Sequence, residues 1–143
     1  MKAMELDTPA LLIDRKIMLD NLRFMQAYAD RQGVALRPHT KTHKMPRLAR
    51  IQEELGAHGI TVAKVGEAEV MAREGLNDIL IANEIVGLQK LARIRELAES
   101  VEISFGLDSL EQAEQVEAAF AGAKRPAFVL IEIEVGENRS GII

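Results

Sequence analysis

Arg37-Pro38-His39-Thr40-Lys41-Thr42-His43-Lys44 is the stretch around which this chain is organised. It follows a short apolar run, Val34-Ala35-Leu36, that reads as a buried strand. Pro38 cannot continue a helix and pushes Arg37 toward extended geometry, so the strand ends here. The residues beyond it occupy a loop or a strand end and include two lysines and two histidines. Crowded basic groups repel one another, which lowers a lysine pKa and leaves more free amine. A free amine is what a Schiff-base lysine requires. No acidic residue lies between Asp30 and Glu53, an interval that holds Arg31, Arg37, Lys41, Lys44, Arg47 and Arg50. Such a cationic island suits a phosphate or a carboxylate. A solvated basic loop is the competing reading.

Outward from this stretch, short apolar strands alternate with amphipathic helices. Strands are expected at Ala10–Ile13, Val34–Leu36, Gly59–Val62, Ile79–Ala82, Val101–Phe105 and Ala127–Val135. A helix capped by Asp14 runs to Gly33, with Ile17, Leu22, Met25 and Tyr28 on a rough apolar face. Further helices are expected over Met45–Leu55, Gly66–Glu74, Leu88–Glu99 and Ser109–Ala121, the last opening on a Ser109-x-x-Gln112 capping box. The alternation predicts an α/β fold with a parallel sheet wrapped by helices. About five βα units follow the first helix, too few for a closed eight-stranded barrel. A doubly wound open sheet would fit the length, but its Gly-x-Gly-x-x-Gly turn is missing after the Val34–Leu36 strand. The chain stops at Ile142-Ile143 with no closing helix. It is therefore read as the front part of a barrel, a truncated product or a fragment.

The 143 residues allow one domain, 1–143, and 48% hydrophobic residues suffice for its core. A net charge of −4 argues against a nucleic-acid partner, and the lack of Trp argues against a stacking platform for single strands. No apolar run is long enough for a membrane span. Glu5 and Asp7 stand where a signal peptide would be apolar. The absence of cysteine excludes disulfides and thiolate metal sites and fits a cytoplasmic location.

Arg37-Pro38-His39-x-Lys41-Thr42-His43-Lys44 resembles the signature of the D-threonine aldolase and D-serine dehydratase family, pyridoxal-phosphate enzymes with an alanine racemase-like N-terminal barrel. The resemblance extends to Asp7-Thr8-Pro9-Ala10, to Asp78-Ile79-Leu80-Ile81-Ala82-Asn83 and to Gly136-Glu137-Asn138-Arg139-Ser140-Gly141. It implies a partial (β/α)8 TIM-type barrel without the family's C-terminal β domain. It also implies that Lys41 carries the cofactor and that Arg139 approaches the cofactor's ring oxygen. A divalent metal is expected for the family, with ligands outside this chain. The implied substrate is a small D-β-hydroxy amino acid, cleaved as by D-threonine aldolase or dehydrated as by D-serine dehydratase. A homo-oligomer is implied for the full-length form. A non-catalytic pyridoxal-phosphate-binding fragment is the remaining alternative.

Within the residues themselves, Lys44 and Lys64 compete with Lys41 as the reactive amine. His39 and His43 have a spacing that could hold a metal on a helix, but Pro38 disfavours a helix there, so hydrogen-bonding roles around the lysine are preferred. Arg139 follows the last strand and would share the barrel mouth with Lys41; the alternative is a rim arginine. Asn83 follows the Ile79–Ala82 strand toward the same mouth, or serves as a turn residue. Thr61 and Glu67 read as structural, Glu67 at the positive end of a helix dipole. Finally, Phe128–Val135 is rich in β-formers, and an uncovered edge there is expected to recruit other strands.

Overall fold

The computed structural model describes residues 3–143, which divide into two units, residues 1–34 and 35–143. In the first, helix α1 (Arg15–Gln32) begins where the Asp14 carboxylate accepts the Ile17 N–H at 3.0 Å. It ends at Gly33, whose φ of 65° returns its N–H to the last carbonyls of the helix. A Lys16–Asp20 pair at 2.7 Å spans one turn, and the Arg31 guanidinium lies 5.9 Å from the Tyr28 ring centre. The expected apolar face is largely open: Ile17, Met25 and Tyr28 are exposed, and the buried residues are Gln26 and Ala29. Residues 10–13 form no strand, and Leu11 and Leu12 are exposed.

The second unit is a parallel four-stranded sheet in the order β1 (Ile60–Val62), β2 (Asp78–Glu84), β3 (Glu102–Leu107), β4 (Phe128–Ile131). Helices α2 (Pro46–Glu54), α3 (Val65–Arg73), α4 (Leu88–Leu97) and α5 (Leu110–Phe120) alternate with it. Pro46 fills the first turn of α2, where its missing N–H costs nothing. Ser109 caps α5 by accepting the Gln112 N–H, the bond expected from the sequence. Register sets the core. Ile60, Ile79 and Ile103 lie side by side, as do Val62, Ile81 and Phe105, and all six are at most 3% exposed. They share one buried cluster with Val65, Ala68 and Met71 of α3, Leu91 and Ile94 of α4, and Val116 of α5. Each such side chain contributes about 1.5–3 kcal/mol by leaving water.

Two sequence expectations are corrected here. Val34–Leu36 is not a strand. The ladder begins later, where Leu36 O accepts the His58 N–H (2.8 Å), Pro38 O accepts the Thr61 N–H (2.8 Å), and His39 bridges to Thr61 in parallel. Pro38 has no N–H to return, so this edge segment bonds without becoming a regular strand. The last strand is also shorter than Ala127–Val135. After Ile131 the chain turns back on itself, and Ile133 pairs with Ile142. All four β4 residues are exposed.

Arg37 anchors the edge segment. Its guanidinium grips the Asp78 carboxylate with two bonds, at 2.7 and 2.8 Å, from the start of β2. Gly59 makes room for it: with φ at 64°, a Cβ there would collide with the Arg37 guanidinium and sit 2.6 Å from the Asp78 carbonyl oxygen. Among the described residues no helix is long and apolar enough to cross a membrane.

Candidate active site

In a parallel sheet the C-terminal ends of all strands open on one edge, and connecting loops there are free to carry chemistry. An open cavity of about 760 Å³ lies at that edge. His39, Lys41, Asn83 and Arg139, the four residues singled out from the sequence, all line it.

Lys41 sits in the middle of a single 3-10 turn, Thr40–Thr42. Three side chains pin this turn. The Thr40 hydroxyl, 1% exposed, donates to Thr61 O at 3.1 Å. His39 Nδ1 accepts the Lys41 N–H at 3.3 Å, and His43 Nδ1 accepts the Met45 N–H at 3.0 Å. Burial lowers the pKa of His39, the nearby Lys41 charge lowers it further, and the Thr61 backbone and Glu67 oppose both effects. Burial also lowers that of His43, against a contact with Gln52. Both rings are therefore held toward the neutral form, the only one with a free Nδ1 acceptor. The two histidines act as backbone acceptors around the lysine, and among the described residues no group of three His, Asp or Glu is placed to hold a metal.

The cationic island is neutralised only in part. Arg37 is held by Asp78, Lys44 lies 3.4 Å from Glu67, and an Arg50 guanidinium N–H donates to Glu74 O. The Lys41 ammonium is exposed and has no ion pair among the described residues, which distinguishes it from Lys44. Lys64 lies immediately before α3 and does not line the cavity. Glu67 has the structural role expected of it, accepting the Ala63 N–H at 2.8 Å. Asn83 lines the cavity from within β2 and donates to Ala63 O at 3.2 Å, so it is not a turn residue.

Arg139 is carried by a loop that closes on itself. Glu134 N–H donates to Ile142 O and Ile142 N–H to Glu132 O, both at 2.9 Å. The Glu134 carboxylate accepts the Gly136 N–H (2.8 Å) and the Asn138 N–H (2.7 Å), and these bonds hold its pKa below the usual carboxylate range. Gly141 lets the two ends pass: with φ at 100°, a Cβ there would lie 2.7 Å from Glu134 N.

Three polar lining residues escaped the sequence reading: Glu84, Glu132 and Ser140. The Ser140 hydroxyl donates to Glu132 at 2.5 Å. The contact between Glu84 and Glu132 raises the pKa of Glu84, aided by burial, and lowers that of Glu132. No local signal marks them: the register shifts between Ile81 and Glu84, and Glu132 lies just past the end of β4.

Residues 13–143 match the family model described as alanine racemase, N-terminal domain. The chain belongs to this family. Within the alanine racemase N-terminal family, it is 46% identical over 136 residues to a D-threonine aldolase of Arthrobacter sp., covering 95% of this chain and 36% of that protein. It is 38% identical over 138 residues to D-threo-3-hydroxyaspartate dehydratase of Delftia sp. (strain HT23), covering 96% of this chain and 36% of the relative. The crystal structure of D-threonine aldolase from Filomicrobium marinum superposes with a TM-score of 0.93 at 40% identity, over 96% of this chain and 37% of that one. The chain thus spans little more than a third of the length of these relatives. Its sheet and helices are those of an N-terminal alanine racemase-like barrel, present in part, as the α/β reading expected.

Proposed function

We propose that this chain is the lysine-bearing part of a pyridoxal-phosphate-dependent lyase acting on D-β-hydroxy amino acids, with the specificity of a D-threonine aldolase. The observation that carries the reading is the convergence of Lys41, His39, Asn83 and Arg139 on one cavity at the C-terminal edge of the sheet. The cavity's volume falls within the range of about 300–1,000 Å³ usual for small-molecule and cofactor sites. Its lining also suits this cofactor: one exposed primary amine, one guanidinium for an anionic oxygen, the polar His39, Asn83 and Ser140, and the Glu84–Glu132 pair. Bound pyridoxal phosphate supplies an electron sink for charge developing at the substrate α-carbon. Lys41 anchors the cofactor through its amine. His39 holds the Lys41 backbone from Nδ1, and Arg139 directs a positive charge into the same space from the opposite loop. Glu84, whose pKa is raised by its contact with Glu132, places a carboxyl group at the cavity wall.

A second reading, loss of the β-hydroxyl as water, is supported by the likeness to D-threo-3-hydroxyaspartate dehydratase. Both reactions begin from a D-β-hydroxy amino acid and use the same lysine. The test is to add pyridoxal phosphate, reduce with borohydride and map the modified peptide, then assay D-threonine and D-serine with added divalent metal on this chain and on any longer form. Modification of Lys41 is expected. Label on Lys44 or Lys64 with Lys41 unmodified refutes the assignment. Ammonia release in place of aldehyde release would select dehydration.

A further inference from the structure

Lys44 is one of two non-glycine residues in the described chain with a positive φ, 52°. A side chain in the left-handed region costs roughly 1–2 kcal/mol, so neighbouring contacts must hold it there. Apart from the pairing of its ammonium with Glu67, those contacts come from the turn that bears Lys41. Thr40 O accepts the N–H of both His43 (3.1 Å) and Lys44 (2.7 Å). The next N–H, that of Met45, is accepted by His43 Nδ1 at 3.0 Å. Met45 is the N-cap residue of α2 and its side chain makes no cap bond, so the imidazole holds the backbone N–H at the helix entry, across the strained residue.

The rest of the ring is equally constrained. His43 Nε2 and the Gln52 side-chain oxygen of α2 are both buried, and Gln52 acts on the ring against the effect of burial. Since Nδ1 accepts, Nε2 carries the hydrogen, and Gln52 presents an oxygen to it. We propose that His43 is a positioning residue for Lys41, a latch that holds the turn only as the neutral Nε2–H tautomer. The latch deepens the functional reading above, because it matters for chemistry only if Lys41 is the reactive amine. Burial and Gln52 of α2 act on the ring, and Lys44, the next residue in the chain, pairs with Glu67 of α3. A second positive charge on the ring would find no carboxylate of its own there, and it would remove the acceptor for Met45.

Three measurements test this. Long-range proton–nitrogen correlation spectra at neutral pH should show His43 protonated at Nε2 and bare at Nδ1; protonation at Nδ1 overturns the latch. Met45 amide exchange should be about tenfold faster in His43→Phe, which keeps the ring's bulk but loses the acceptor. His43→Asn, whose Oδ1 stands where Nδ1 was, should stay within about twofold of the parent chain, and Lys44→Gly added to His43→Phe should recover part of the loss. Borohydride trapping of pyridoxal phosphate on Lys41 should slow about tenfold in His43→Phe and little in His43→Asn. Parent-like Met45 exchange or parent-like trapping in His43→Phe overturns the proposal. Failure of the parent chain to be labelled at Lys41, with Met45 still protected, overturns the assignment of Lys41 and leaves the latch in the turn standing.

Discussion

Replacing Arg37 should do more damage than the loss of one surface charge. Its two bonds to Asp78, at 2.7 and 2.8 Å, form a bidentate pair in which both side chains are at least 70% covered, by the exposures of 26% and 30%. Hydrogen bonds to charged groups are worth about 1.5–3 kcal/mol each before the loss of the partner's solvation is counted. Arg37→Ala also leaves Asp78 facing Glu53, whose pKa is already raised by burial first and by Asp78 second, with Arg37 acting against both. Partial exposure reduces the sum, and a destabilisation of about 2 kcal/mol is expected. For a chain of this length that corresponds to a fall of about 6 °C in Tm. Arg37→Lys keeps the charge but not the fork and should recover less than half of the loss. The assay is urea unfolding of Arg37→Ala, Asp78→Asn and the double variant, with trapping of pyridoxal phosphate on Lys41 alongside, since Arg37 tethers the segment that ends in Lys41. A coupling energy below about 0.5 kcal/mol in the double-mutant cycle, or an Arg37→Lys variant as stable as its parent, would refute the reasoning.

Glu134→Gln should loosen the Arg139 loop, seen as faster exchange of the Gly136 and Asn138 amides and weaker cofactor binding in a full-length context. Because its bonds in the folded loop depress the Glu134 pKa, their contribution is complete above the unfolded carboxylate value and disappears as pH falls through the lowered folded value. The amides should therefore stay protected through mildly acidic pH, and release at near-neutral pH would contradict this origin. The exposed β4 edge, with Phe128 and Ile131 57% and 68% exposed, should drive self-association of the isolated chain. Sedimentation showing a monodisperse monomer with a cooperative melt would exclude it.

Periodicity made most of the fold legible. The helices are close to their expected bounds because each carries a local signal: Asp14 and Ser109 at starts, Pro46 in a first turn, Gly33 at an end. The strands after Gly59 were visible as apolar runs. Val34–Leu36 misled for the same reason, since three apolar residues before a proline look alike whether or not a neighbour supplies hydrogen bonds. Within the site, Lys41, His39, Asn83 and Arg139 were legible because they lie at element ends in motif-like stretches. The function of Arg37 was not, because its partner is 41 residues away and nothing local distinguishes it from Arg47. Glu84 and Glu132 were hidden by a register irregularity between Ile81 and Glu84 and by the early end of β4, which together decide which carboxylates meet.

The two sides of the cavity differ in how much chain must be gathered to build them. The side-chain contacts that tie the Arg139 loop span two to eight residues, from Glu134–Gly136 to Glu132–Ser140. The Lys41 side depends on Thr40 reaching Thr61, 21 residues on, and on Arg37 reaching Asp78, 41 residues on. With closure entropy growing as the logarithm of loop length, joining the ends of the 41-residue loop costs about 1.4 kcal/mol more than joining those of the eight-residue one. The guanidinium side is thus prescribed by neighbours in sequence, whereas the amine side exists only once β1 and β2 have paired. Mild destabilisation anywhere in that pairing is transmitted to Lys41 while Arg139 keeps its local frame.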